Sequence, residues 1–213
     1  MNTKIKICGL RRPEDIEYVN ECLPDYAGFV FAAGRRQVDA DTAAKLRERL
    51  DSRIQAAGVF VNEDVQRAAR LVNEKIIDLI QLHGDEDESY ISELRNLLRR
   101  GKIIKAVRVR SQQDIQNADK LHADYLLFDK FSADAYGGTG EAFDWSLISS
   151  VHKPFFLAGG IEPGNVEEAV ARVHPFAIDV SSGVETDGFK DRDKIIEIVS
   201  KVRKIPSQRT LQK

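Results

Sequence analysis

The chain has 213 residues, 42% hydrophobic and 31% charged, an ordinary globular composition that excludes intrinsic disorder and suits one domain or two small ones. With 32 Lys and Arg against 34 Asp and Glu, the formal net charge is −2 and both signs are interspersed, so no global field gathers polyanions and neither nucleic acid nor a membrane is expected as the main partner. Two cysteines, Cys8 and Cys22, are too few for a disulfide framework and match no zinc spacing, and neither a long apolar h-region nor a run near about 18 apolar residues occurs; a soluble, unexported, cytoplasmic protein is expected.

The first apolar run, Lys4–Cys8, reads as a strand, and Arg12-Pro13-Glu14-Asp15 opens a helix with proline and acids in its first turn. Strand Ala27–Phe31 precedes helix Asp39–Leu50, and Ala56–Val61 precedes Glu63–Asn73. Ile76–Gln81 leads to helix Glu86–Arg100, and Ile103–Val109 to helix Ser111–Leu121. Tyr125–Asp129 is followed by a helical stretch at Asp144–Val151, and Pro154–Ala158 by a helix that Glu162-Pro163-Gly164-Asn165 opens. Phe176–Val180 and Asp191–Lys204 complete the series. The apolar runs are short, rich in Ile, Val and Phe, and bounded by Gly, Pro, Asp or Asn, as buried strands are. Strict β-then-α order means a parallel sheet covered on both faces. Eight such units favour a closed (β/α)8 TIM barrel of the α/β class over a doubly wound open sheet with the same local pattern. Residues 1–205 form the single barrel domain and 206–213 a C-terminal tail.

In such a barrel the chemistry sits at the C-terminal ends of the strands. Two of these ends are glycine and serine turns: Leu157-Ala158-Gly159-Gly160-Ile161 after strand 7 and Asp179-Val180-Ser181-Ser182-Gly183-Val184-Glu185 after strand 8. These are the two loops that build a phosphate site in many barrels, since glycine lets backbone N–H groups approach phosphate oxygens and serine adds donors. A tight strand-to-helix turn is the bland alternative for either loop alone; the pair points to a phosphorylated small molecule.

Period-two alternation puts Lys4, Lys6 and Cys8 on one face of strand 1 and Ile5 and Ile7 on the other. The helix-facing side must be apolar, so Lys6 and Cys8 point inward. A lone cysteine is commonly a small buried hydrophobe, but above an interior lysine Cys8 becomes a candidate thiolate, because positive charge lowers a thiol pKa. Cys22, mid-helix, keeps the structural reading. The same parity places Asp179 inside, beside strand 1, where pairing with Lys6 makes two costly charges tolerable. Asp129 closes an apolar strand, either as a loop aspartate or as a general acid facing the cysteine. Gly137-Gly138-Thr139-Gly140 reads as a flexible turn, Arg35 and Arg36 can fork onto a carboxylate, and Trp145 packs a helix start against the rim. His83 ends strand 4 and can line a pocket, whereas His122, His152 and His174 have no i, i+4 partner, so no metal site is expected.

Taken in order, Lys6-Ile7-Cys8-Gly9-Leu10, Gly28-Phe29-Val30-Phe31, Gly58-Val59-Phe60-Val61-Asn62, Gln81-Leu82-His83-Gly84, Lys105-Ala106, Leu127-Phe128-Asp129, Gly138-Thr139-Gly140, Phe143-Asp144-Trp145 and the two glycine and serine loops resemble the phosphoribosylanthranilate isomerase family of tryptophan biosynthesis over nearly the whole chain. The resemblance implies Cys8 as general base and Asp129 as general acid in an Amadori rearrangement. It further implies Arg36 as the group holding the anthranilate carboxylate, with Arg35 its competitor, and His83, Gly159, Gly160, Ser181, Ser182 and Gly183 as substrate-binding. The arginine loop departs from the family pattern, with Gly34 where serine is usual and a shorter length than in some relatives. No metal or organic cofactor is implied, because a protonated imine is itself the electron sink, and the assembly expected is a monomer or homodimer. A metal-dependent sugar-phosphate epimerase would need strand-end histidines, and the histidine-pathway isomerase resembles a duplicated half-barrel with aspartate on strand 1. A non-catalytic sensor of phosphorylated metabolites would keep the loops and lose the acid or base.

Overall fold

The computed structural model describes residues 2–130, 145–148 and 151–206. Eight strands close into a parallel barrel in sequence order: β1 (Lys4–Cys8), β2 (Tyr26–Val30), β3 (Gln55–Phe60), β4 (Leu79–Leu82), β5 (Lys102–Val109), β6 (Tyr125–Lys130), β7 (Phe155–Leu157) and β8 (Ala177–Val180). The helices are α1 (Pro13–Cys22), α2 (Ala40–Arg49), α3 (Val65–Asn73), α4 (Glu88–Leu97), α5 (Gln112–Ala118), α6 (Val166–Val173) and α7 (Arg192–Lys204). No helix among the described residues is long and apolar enough to cross a membrane.

The two faces of each strand feed two separate cores. Outward side chains such as Ile5, Ile7, Phe29, Ile80, Leu82 and Leu126 pack against the helices. Inward ones, Tyr26, Ala57, Leu79, Ile104, Leu127, Phe156 and Ala177, fill the barrel floor, with Phe156 edge-on to both Tyr26 and Tyr125. Above that floor the interior turns polar.

Aspartates set both ends of the units. Asp39, Asp64 and Asp87 cap α2, α3 and α4 by accepting backbone N–H from Thr42, Arg67 and Tyr90 at 2.7–2.9 Å, and Asp191 caps α7 in the same way. At the opposite end, Asp25, Asp78 and Asp124 each precede an even-numbered strand and accept an N–H at the start of the preceding odd one, from Ile5, Ala56 and Ile103, at 2.9–3.0 Å. These bonds pin strand register where the apolar pattern alone is loose.

Several boundaries differ from the sequence expectation. Strand 4 begins at Leu79 because Lys75, with φ 67°, turns the chain after α3 and Ile76 and Ile77 close that turn on the Leu71 carbonyl. Helix α4 starts two residues beyond Glu86, whose carboxylate is engaged elsewhere. Helix α6 begins at Val166, directly after the Glu162–Asn165 opening; Asn165 at its N-cap ties that turn by accepting from Glu162 N–H and donating to the Gly160 carbonyl. Between β6 and β7 the described residues show a short 3-10 turn, Trp145–Leu147, in place of the expected helix, with Trp145 packed against the outer core. The Gly137–Gly140 turn, Phe143-Asp144 and residues 207–213 of the expected tail lie outside the described residues. A feature not expected is a hairpin, β9 (Glu185–Thr186) and β10 (Phe189–Lys190), turned at Asp187-Gly188 and pairing Glu185 with Lys190. Phe189 lies under both guanidinium groups of Arg11 and Arg12, at 4.8 and 4.6 Å.

Candidate functional site

A cavity of about 470 Å³ opens at the C-terminal end of the barrel, and it gathers Cys8, Arg35, Arg36, His83, Asp129, Gly159, Gly160, Ser181 and Ser182 on one lining. Gly183 does not reach that lining. It sits in a 3-10 turn, Ser182–Val184, pressed so closely on the strand-7 loop that a Cβ there would stand 2.0 Å from the Ile161 carbonyl oxygen. Its part in the site is therefore to let the two glycine and serine loops touch. Gly159 and Gly160 have φ of 83° and 67°, a region open to glycine, and this folds their peptides over the cavity mouth.

Strand β1 delivers the cysteine. Lys6 and Cys8 point inward as parity requires, and Lys6 is fully buried. Register sets Lys6 beside Asp179 on β8, and Lys6 Nζ lies 3.0 Å from Asp179 Oδ1. Register also sets Cys8 beside Gly28, where a Cβ would come within 2.7 Å of the Cys8 sulfur and 3.1 Å of Lys6 Nζ. Thiol and ammonium thus share the space that this glycine leaves. Burial opposes the Lys6 charge, but the Asp179 carboxylate and Cys8 together hold its pKa above the ordinary value. For Cys8, burial dominates and pushes the thiol up, with Lys6 and Lys190 pulling the other way. The expectation that the lysine lowers this pKa below its ordinary value is corrected: desolvation of the thiolate outweighs the cation in the free protein. Cys22 is the last residue of α1 rather than mid-helix; its thiol donates to the Tyr18 carbonyl and is raised to about 11, first by burial.

Asp129 is the penultimate residue of β6, three strands from β1 around the ring, in register with Arg108 on β5. His83 Nε2 approaches Asp129 Oδ2 at 3.4 Å, and His83 Nδ1 lies 3.0 Å from the Gln81 amide nitrogen. On the outer side of the sheet Lys105 and Glu86 form a buried pair at 2.7 Å, and Glu86 accepts the backbone N–H of Asn62 and Gly84, which locks the ends of β3, β4 and β5 together.

Arg35 and Arg36 do fork onto a carboxylate, and it is the protein's own. Arg36 donates from Nε and Nη2 to the two oxygens of Glu185 at 2.7 and 2.9 Å, and Arg35 Nη2 donates to the second oxygen at 2.9 Å. Lys190, opposite Glu185 in the hairpin, completes the cluster at 2.8 Å and also donates to the Ser181 carbonyl. Burial opposes the Glu185 charge, yet Arg36 and Lys190 hold its carboxyl at about 2. Arg36 is the less exposed of the two arginines, at 23% against 58%. Ser181 donates its hydroxyl to the Cys8 carbonyl at 3.2 Å, so the strand-8 loop is fastened to the strand that carries the thiol. Sequence reading assigned no role to Glu185, Lys190 or Gln81. The Asp-Gly dipeptide between Glu185-Thr186 and Phe189-Lys190 was the available signal for the first two, and strand parity with His83 for the third.

Among the described residues no group of three or more His, Cys, Asp or Glu side chains could hold a metal ion. His122 and His152 pair with Glu88 and Asp119 on the exterior, and His174 caps α6. The arrangement brings a carboxyl group, a thiol, two arginines and two glycine and serine loops around one small cavity.

Comparison with known proteins finds that residues 5–201 match the family model described as N-(5'-phosphoribosyl)anthranilate (PRA) isomerase. The N-(5'-phosphoribosyl)anthranilate isomerase of Endomicrobium trichonymphae is 50% identical over 202 residues, covering 95% of this chain and 99% of that one. The crystal structure of phosphoribosyl anthranilate isomerase from Thermotoga maritima superposes with a TM-score of 0.84 at 32% identity, over 95% of this chain and 100% of the other. A structure of phosphoribosyl anthranilate isomerase in complex with reduced 1-(o-carboxyphenylamino)-1-deoxyribulose 5-phosphate gives a TM-score of 0.81 at 30% identity, with the same coverage.

Proposed function

We infer that this chain, which belongs to the N-(5'-phosphoribosyl)anthranilate isomerase family, isomerises N-(5'-phosphoribosyl)anthranilate to 1-(2-carboxyphenylamino)-1-deoxyribulose 5-phosphate, the third step of tryptophan biosynthesis from chorismate. The observation that carries the assignment of roles is the convergence of Cys8 and Asp129 on one cavity whose other walls are the arginine pair and the two glycine and serine loops. The phosphate binds at Gly159, Gly160, Ser181 and Ser182, and the anthranilate carboxylate at Arg36.

Asp129 then protonates the furanose ring oxygen, which breaks the ring C1′–O bond and leaves a protonated Schiff base. The Cys8 thiolate removes the proton on C2′, the electron pair flows into the imine, and the resulting enolamine tautomerises to the ketone. The working form, thiolate with carboxylic acid, has the same total charge as thiol with carboxylate. One proton moved from Cys8 to Asp129 reaches it, and the cationic Schiff base beside Lys6 favours the thiolate once formed. The turnover leaves the thiol protonated and Asp129 charged, so proton return through solvent resets the site. All of this chemistry is proton transfer and needs no cofactor. A cytoplasmic protein, as a monomer or a homodimer, fits the reading.

The test is loss of phosphoribosylanthranilate fluorescence with purified protein. Cys8→Ser is expected to remove nearly all turnover with the fold intact, and Asp129→Asn to lower kcat by roughly 10²–10⁴. Inactive wild-type protein would sink the assignment; near-normal activity of either variant would sink that residue's role.

A further inference from the structure

The wall of β4 holds a polar side chain that neither the acid, the base nor the anion-binding groups use. Parity turns Gln81 inward above Leu79, where it is 1% exposed and lines the cavity. Its amide nitrogen is 3.0 Å from His83 Nδ1, while its carbonyl oxygen is buried with no hydrogen-bond partner among the described residues. Buried amide oxygens are rarely left unpaired, so this one is poised for a donor that arrives with a ligand.

The orientation of the amide follows from the histidine. With Gln81 Nε2 donating to Nδ1, His83 carries its proton on Nε2 and directs it at Asp129 Oδ2, 3.4 Å away. With the imidazole neutral and Asp129 ionised, the flipped amide would put the proton on Nδ1 and set the Nε2 lone pair against a carboxylate oxygen, acceptor against acceptor. The ligand's two charged ends are excluded as partners for the free oxygen, since a carboxylate or phosphate brings only acceptors. Position agrees: β4 stands opposite β8 in the ring and two strands from β2, away from both the phosphate loops and the arginines.

We propose that Gln81 has two tasks: through Nε2 it fixes the tautomer of His83, and through Oε1 it accepts a hydrogen bond from an O–H or N–H in the neutral sugar-amine middle of the phosphorylated ligand. The proposal rests on the isomerase reading for the ligand's identity, while the histidine half stands on this geometry alone. As a positioning residue, Gln81 keeps the protonated Nε2 of His83 turned toward Asp129 Oδ2.

The experiment compares wild type, Gln81→Met and Gln81→Glu by the ¹⁵N chemical shifts of the His83 ring, by calorimetric binding of the isomerised product and of inorganic phosphate, and by kcat/KM. Wild type should show His83 as the Nε2–H tautomer. Gln81→Met should mix the tautomers, weaken product about tenfold and leave inorganic phosphate unchanged. Gln81→Glu should move the proton toward Nδ1 and lose more activity than Gln81→Met, although it is the closer match in shape. An Nδ1–H tautomer in wild type, or equal weakening of product and phosphate, would overturn the proposal. So would product binding that neither variant changes. Wild-type inactivity would instead fail the isomerase reading and leave the tautomer result to stand by itself.

Discussion

Replacing Glu185 with Gln tests whether one buried carboxylate organises the arginine side of the cavity. The wild-type carboxylate is met by Arg36 through two bonds, by Arg35 and by Lys190, three cations on one anion. Glutamine keeps the shape but offers one acceptor and turns an NH₂ toward guanidinium donors, and Lys190, almost wholly buried, loses its counter-charge. A carboxyl titrating at about 2 instead of 4.5 corresponds by linkage to roughly 3.4 kcal/mol. Solvent reaches both arginines, so we discount this to about 2 kcal/mol. The sign follows from the depressed pKa: the contribution is complete above 4.5 and disappears as pH falls toward 2. Urea denaturation of the two proteins at pH 7 should therefore differ by about 2 kcal/mol, and the gap should be less than half as large at pH 3. A gap under about 0.5 kcal/mol at pH 7, or one that does not shrink with acid, would refute the reasoning.

Arg36→Ala should raise KM by roughly 10- to 100-fold, the range of a lost charged hydrogen bond, while Arg35→Ala changes it little; the reverse in steady-state kinetics would transfer the clamp to Arg35. Because burial raises the Cys8 thiol, alkylation of Cys8 by iodoacetamide, followed by mass spectrometry, should stay slow at pH 7 and accelerate only above pH 9, and Lys6→Met should move that rise higher still. Fast labelling at neutral pH would show that Lys6 already outweighs burial. Gly183→Ala must push the strand-7 and strand-8 loops apart and should lower stability by about 1–3 kcal/mol or more; an unchanged urea midpoint would mean that the loops give way freely.

The barrel was legible in the sequence because each strand is a separate, short, buried run whose period fixes which side chains face inward. Lys6 and Asp179 illustrate how far parity reaches: it turns two charges 173 residues apart toward the same interior, and they lie 3.0 Å apart. Parity says nothing about solvation, so it pointed the wrong way on the Cys8 pKa, where burial wins. Boundaries failed where side chains override local pattern, as when the Glu86 carboxylate turns to Lys105 and to backbone N–H groups instead of extending α4. Asp25, Asp78 and Asp124 also escaped notice, since each serves a neighbouring strand rather than its own. The Arg36–Glu185 contact spans 149 residues; neither charge carries a local mark of the other.

The bonds from Lys6 to Asp179 and from Ser181 to the Cys8 carbonyl also set a time order. Both cross the seam between the first strand and the last, and each joins residues 173 positions apart. On a ribosome Lys6 and Cys8 emerge among the earliest residues, whereas Asp179, the counter-charge that makes a buried Lys6 tolerable, is not synthesised until about five-sixths of the chain is complete. A truncated or half-folded chain therefore carries the proposed base, Cys8, without the Lys6–Asp179 pair beside it. The proposed site is therefore complete only when the first strand has paired with the last and the ring is closed.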